Sequence, residues 1–392
     1  MQNKIPHINP SITFNKLSDN EFILCNTLHK HYLKINKDTY DLLSLIDNER
    51  SLQEICELHN QQSKKELTVN ALHFLLYDKL SKYGLLVGEE EQIKPYQKPS
   101  YLKLSFIIFS KRFIAKITPS LHFLFRKKIA FPLLILCAVM IGTELYLLLD
   151  GYKSFKVQES VIFFLVVMAI SVTFHELGHA TAASHFGAEH GGIGGGFYLF
   201  TPVYFADVTD VWRLKKWQRV VVNCAGMYFE IIFCTLLSLV GLLLGQISLT
   251  LIAIIVCLHT FFNLNPFLRS DGYWILSDIT NKPNLLQHSF RKIGDVFKMI
   301  KGKKVQWTKI DFLLLVYGLI SYSFIVLFVY YVLFKNPHSI LNFPQNLYHF
   351  LKSLCNKDAT ISLVSFGELI VPMLFFYLLF SFLKSILRKK KI

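Results

Sequence analysis

Paired cysteines are missing from this 392-residue sequence: seven cysteines occur without paired spacing, so neither a disulfide framework nor a thiolate metal site is indicated. The first thirty residues contain no apolar signal-peptide core, which keeps residues 1 to about 98 in the cytoplasm. No internal repeat is present, and no low-complexity tract beyond residues 191–196. Charge is also scarce. Asp, Glu, Lys and Arg make up 18% of the chain, against 52% hydrophobic and 15% aromatic residues. That balance excludes an ordinary soluble domain of this length and reads as a membrane protein.

Near-continuous apolar runs of spanning length occur at about 129–149, 161–174, 220–244, 247–262, 312–334 and 361–383. They give an all-α polytopic membrane protein of about six transmembrane helices. The second run is short unless its helix continues through H-E-L-G-H-A-T-A-A-S-H-F, good helix formers up to Gly187. The formal net charge of +15 follows the loops. Lys111, Arg112, Lys116, Arg126, Lys127 and Lys128 precede the first span, Arg213, Lys215, Lys216 and Arg219 the third, and nine basic residues over 269–309 the fifth. The alternate loops are poor in both residue types, and the tail ends R-K-K-K-I. The positive-inside rule then places a multi-pass protein in the cell membrane, its partner the lipid bilayer, with both termini cytoplasmic and only Cys355 of the cysteines outside. This topological explanation of the charge leaves no reason to expect nucleic acid binding.

Residues 1–98 differ in character from the rest and form a separate small α+β, winged-helix-like domain. A short strand ends near Ile35, a helix follows over 37–46, and Asp47-Asn48 turns into a second helix that Ser51 caps with Glu54. A third helix over about 69–83 ends at Gly84. Residues 99–128 are a linker and a membrane-surface segment rich in aromatics and basic residues, and 129–392 form the membrane domain. The strand at 32–35, the acidic-hydrophobic helix at 40–46, the turn at 47–50, the E-I helix at 52–58 and the G-L ending at 82–87 resemble the PqqD-like domains. That resemblance implies a domain that binds the leader segment of a ribosomally made precursor peptide.

The chemistry centres on S-V-T-F-H-E-L-G-H-A, residues 171–180. His175 and His179 share one helical face, about 6 Å apart along the axis, and both imidazoles can reach one ion. Glu176 sits about 100° round the helix, beside the ion. An H-E-x-x-H helix of this kind suits a hydrolytic zinc with Glu176 as general base. An ionised glutamate at the centre of a span costs about 2.5–3.5 kcal/mol, which an idle residue would not justify. Candidates for a third ligand are Asp207, Asp210, Glu230, Asp271, Asp278 and Glu368. Pro266 breaks the fourth helix, and Asp271-Gly272 makes a tight turn that can aim a carboxylate back into the bundle. Spacing alone does not choose among them.

H-E-L-G-H in a spanning helix followed by N-P-F-L-R-S-D-G resembles the site-2 protease family of intramembrane zinc metalloproteases, and within it the branch described as peptide zinc metalloproteases of modified-peptide and bacteriocin clusters. The resemblance covers about 161–276. It implies Zn2+ held by His175, His179 and Asp271, catalysis by Glu176, and Asn265 and Pro266 beside the centre. It also implies maturation of a precursor peptide or bacteriocin, and it admits a peptide transporter as a further partner. One departure stands out: where many members have A-G-P, this chain has Ala225, Gly226 and Met227.

His259, in the fourth span, reads equally as second shell to the zinc or as a satisfied buried histidine. His185 and His190 read as surface or second-shell residues, and Glu230 as an intramembrane acid without an assigned role. Residues 191–208 are too glycine-rich for a helix and then alternate like a strand, which suits either a plain hairpin or an edge that pairs with an extended substrate. Regulated cleavage of a spanning signalling protein and a non-catalytic binding, export or immunity role are the alternatives left open. A di-iron oxidase is disfavoured because no adjacent His-His pair occurs.

Overall fold

The stretch I-T-F-N-K-L-S pairs as a strand in the computed structural model. The structure describes residues 3–63, 66–89, 93, 103–151, 161–198, 201–282, 284–355, 369 and 371–380. They group into a larger unit, built from Met1–Ser100, Ser105–Gly195 and Tyr204–Asn281, and a smaller one mainly from Lys282–Ile392.

In the larger unit β1 (Ile12–Ser18), β2 (Glu21–Asn26) and β3 (His31–Asn36) form an antiparallel meander. Helix α1 (Lys37–Ser44) follows, its first turn capped by Asn36, whose Oδ1 accepts from the Thr39 amide at 3.0 Å. Helix α2 (Leu52–Gln62) opens with a capping box between Ser51 and Glu54. Helix α3 (Val69–His73) runs on through wider turns to Gly84, where φ of +72° ends it. Leu24, Leu43, Leu52, Ile55, Leu72 and Leu76 are fully buried between sheet and helices, each contributing about 1.5–3 kcal/mol. Two findings differ from expectation. The domain has three strands where the sequence suggested one, and the helix over 69–83 changes from α to wider and then tighter turns before it ends at Gly84.

Strand β2 is buried on both faces. Phe22 and Leu24 join the helix-side core, whereas Ile23 and Cys25, pointing the other way, are 4% and 0% exposed. On that second face Asp210 and Arg213 act electrostatically on Cys25, and burial pushes its thiol up. The sheet is thus seated on the rest of its unit.

The segment expected on the membrane surface holds a strand instead. Strand β4 (Lys103–Phe109) joins β5 (Ile193–Tyr198) and β6 (Thr201–Ala206) in a sheet of order β4-β5-β6. Helix α4 (Lys111–Leu121) buries Ile114 against Ala180 and Ile193. The apolar helices follow: α5 (Lys127–Gly151), α6 (Val161–His185), α7 (Lys216–Leu244) and α8 (Ile247–Phe262), then the shorter α9 (Asp271–Thr280). Helices α6 and α7 approach so closely that a Cβ on Gly178 would lie 2.3 Å from the Ala225 carbonyl oxygen. Met227 in place of proline does not hold them apart.

In the smaller unit α10 (Leu285–Ile300) packs on α11 (Lys309–Tyr330), with Ser289 against Gly318 and Lys292 paired to Asp311 at 2.9 Å. The short α12 (His338–Leu341) and α13 (Phe343–Cys355) follow.

Four helices are long and apolar enough to cross a membrane: Lys127–Tyr146, Phe163–His185, Lys216–Leu244 and Lys309–Lys335. Leu134, Ile135, Leu136 and Val139 of the first are 42% to 60% exposed, a surface suited to lipid rather than water. Six spans were expected. Helix α8 has 16 residues, about 24 Å against a hydrocarbon core of about 30 Å. The run at 361–383 lies largely outside the described residues, where only Val371–Phe380 is a short apolar helix. Glu368, Lys153, Lys156, most of the linker and the basic tail also lie outside them.

Candidate metal centre

Helix α6 runs unbroken through the histidines and presents His175 and His179 to α7. Their Nε2 atoms are 3.1 Å apart. Each ring is fixed by its other nitrogen: His175 Nδ1 lies 2.9 Å from Glu230 Oε2, and His179 Nδ1 2.8 Å from the Val222 carbonyl oxygen. Both acceptors are on α7, so the packing of α6 on α7 selects the tautomers that leave both Nε2 lone pairs facing inward. A Cβ on Gly226 would lie 2.4 Å from His179 Nε2 and 2.5 Å from His175 Nε2. Only glycine lets the α7 backbone border the site.

The third donor comes from beyond α8. After Phe262 the chain turns through 263–270: Asn265 Oδ1 accepts from the Phe267 amide at 2.9 Å, Ser270 Oγ donates to the Asn265 carbonyl at 2.7 Å, and the Gly272 amide donates to the Asn263 carbonyl at 2.7 Å. Asp271 thereby becomes the first residue of α9, its carboxylate turned to the histidines. Oδ2 is 2.9 Å from His175 Nε2 and Oδ1 3.4 Å from His179 Nε2. The Oδ2 distance is within hydrogen-bonding range, yet that buried atom makes no hydrogen bond of acceptable geometry. We read it as a donor atom facing another donor atom. Ligands each about 2.0–2.1 Å from a tetrahedral zinc lie about 3.3 Å from one another, so the spacings fit such an ion.

Glu176 is buried one residue from His175, within the same cluster of possible ligand atoms as the two histidines, and accepts a hydrogen bond from the Ala206 amide at the end of β6. Glu230 is 1% exposed and also accepts from Ser171 Oγ at 2.9 Å and from Thr260. The sequence singled it out as an acid in an apolar run; its role as the partner of His175 was not legible there.

The other sequence candidates lie elsewhere. Asp207 pairs with Lys30 and Thr209, Asp210 with Arg213 and Tyr32, and Asp278 with Arg219 and Asn223. His185 stacks on Phe125, and His190 contacts Thr118 and the Gly191 carbonyl. His259 is on the exposed face of α8; the neighbouring Thr260 takes the inward position beside Glu230. Asn265 spends its side chain on its own turn, and Pro266 lies in that same turn.

The chain is similar to the Bacillus subtilis (strain 168) protein named "Putative peptide zinc metalloprotease protein YydH", with 26% identity over 207 residues covering 50% of this chain and 79% of that relative. No family model matches the chain, and no solved structure matches it.

Proposed function

We propose that this protein is a multi-pass cell-membrane zinc metalloendopeptidase of the site-2 protease kind, maturing a ribosomally synthesised precursor peptide. The observation that carries this reading is the convergence of His175, His179 and Asp271, from two helices distant in sequence, beside Glu176. The similarity to a relative whose name says peptide zinc metalloprotease supports it.

His175, His179 and Asp271 would hold a Zn2+ ion, which when bound would supply a Lewis acid for the scissile carbonyl and for a water. Glu176 accepts that water's proton on a carboxylate oxygen and returns it to the leaving amine nitrogen. The Ala206 amide orients Glu176 for both transfers. Burial of His175, Glu176 and His179, with the Asp271 side chain only 17% exposed, limits bulk water and strengthens their electrostatics. An extended substrate pairs with the outer strand β6 near 204–206, which brings its backbone beside Glu176. The division into 1–98, 99–128 and 129–392, six spans with cytoplasmic termini, a leader-gripping amino-terminal domain, and hand-over of product to a peptide transporter belong to the same reading.

The test is mass spectrometry of candidate precursor peptides incubated with membranes carrying wild type or Glu176→Gln. A fragment produced by wild type alone is the expected result. Equal cutting by both would remove Glu176 from catalysis, and a purified wild type without zinc would end the metalloprotease reading.

A further inference from the structure

Both elements that complete the site end in residues held by the amino-terminal sheet. On the hairpin side, Lys30 Nζ pairs with Asp207 Oδ2 at 2.9 Å and Tyr32 OH donates to Asp210 Oδ1 at 2.9 Å. Asp207 directly follows Ala206, the residue whose amide holds Glu176. Its backbone closes the base of the hairpin: Gly191 N–H donates to Asp207 O at 2.6 Å, and Asp207 N–H donates to Gly192 O at 3.2 Å. Asp210 Oδ2 also accepts from the Glu189 amide at 2.7 Å. On the other side, Asn281 at the end of α9 donates to Glu21 Oε2 at 3.2 Å, while Lys34 pairs with Glu21 at 2.6 Å. Helix α9 begins with Asp271, so its 10 residues form a lever of about 15 Å between Asn281 and the metal centre.

These contacts have a firm seat. Ile23 and Cys25 are buried on the same side of the sheet, and burial together with the Asp210 carboxylate keeps the Tyr32 phenol protonated as a donor. Exposed ion pairs contribute little stability on their own. What one ion pair and two hydrogen bonds around the buried Ile23 and Cys25 can do is fix position.

We infer that the amino-terminal sheet is a strap across the metal centre, with Lys30, Tyr32 and Glu21 as positioning residues that hold β6 and α9, and through them Glu176 and Asp271, in register. The domain is then part of the catalytic frame for any substrate, including one with no segment for the domain to grip. A peptide that engages this domain acts on Glu176 without touching it. The inference rests on the metalloprotease reading only for what is being positioned.

The test uses the full chain in lipid nanodiscs, with two readouts that need no substrate: amide hydrogen exchange by mass spectrometry, and zinc affinity by competition with a chromophoric chelator. In Lys30→Asp, exchange over 201–207 rises at least tenfold and zinc affinity falls about tenfold, while α2 exchanges as in wild type. The charge swap Lys30→Asp with Asp207→Lys restores both, and Lys30→Arg alters neither. Unchanged exchange and affinity in Lys30→Asp, or a swap that restores nothing, overturns the inference. If Lys30→Asp also loosens α2, the milder Tyr32→Phe decides: faster exchange over 201–210 sustains the strap, and wild-type exchange there overturns it. Absence of zinc from wild type would instead sink the metalloprotease reading and leave the exchange readout standing.

Discussion

Glu230→Ala is the perturbation that most directly probes how this centre is built. The carboxylate lies 2.9 Å from His175 Nδ1 and accepts from Ser171 Oγ at 2.9 Å. Truncation removes the acceptor that holds the His175 ring in its metal-facing tautomer. Outer partners of this kind are worth about 10–100-fold in metal affinity, or about 1.4–2.8 kcal/mol. It also strands the buried Ser171 hydroxyl, at about 1–3 kcal/mol of stability. Glu230→Gln keeps the size and one oxygen acceptor, so it should retain the ring orientation and lose only the charge, with a smaller drop in affinity. The assay is zinc competition against a chromophoric chelator on purified protein, with helicity measured in parallel. A wild-type zinc affinity in Glu230→Ala refutes the reasoning, as does a Gln variant as damaged as the Ala variant.

Gly226→Ala should abolish zinc binding while leaving helical content intact, because its Cβ would meet both Nε2 atoms at 2.4–2.5 Å; metal analysis beside circular dichroism checks this. Stripping zinc should lower the melting temperature, since a ligand at 100 times its Kd stabilises by about 2.7 kcal/mol, and Asp271→Asn should melt alike with and without chelator. Burial pushes the Asp207 carboxyl up, but Lys30 and the Thr209 hydroxyl outweigh that and hold it below its ordinary value. A depressed acid contributes stability above its unfolded pKa, about 3.9, and loses it as pH falls through the folded value. The difference in exchange over 201–207 between wild type and Asp207→Asn should therefore be clear at neutral pH and shrink below about pH 4.

What the sequence disclosed followed from local geometry. Histidines four apart on a helix must share a face, which singled out His175 and His179, whereas a turn after a proline-broken helix only kept Asp271 among six candidate acids until the family resemblance picked it out. What it did not disclose depended on which face meets which neighbour. His259 and Thr260 are adjacent on α8, and only the rotation of that helix decides that the threonine faces Glu230. The meander was hidden for a related reason. Strand β1 is only half buried, while β2 is buried on both faces, so neither shows the clean alternation of a strand with one wet side.

The charge balance of the centre argues for a cation more strongly than the motif does. Glu176, Glu230 and Asp271 are carboxylates close to the two histidines, and Glu230 and Asp271 face imidazole nitrogens and hydroxyls. Burying three negative charges with two neutral rings would be prohibitive. Protonating both rings is no remedy, because their Nδ1 atoms already face Glu230 and the Val222 carbonyl, and two Nε2–H donors would then oppose each other at 3.1 Å. On the proposed reading, a divalent ion among the Nε2 atoms and Asp271 would offset two of the three charges and leave one carboxylate to act as a base. Glu230 is tied to His175 and Ser171, whereas Glu176 is held by the single backbone amide of Ala206. Of the two, Glu176 is therefore the one to which the proposed reading gives the proton transfers.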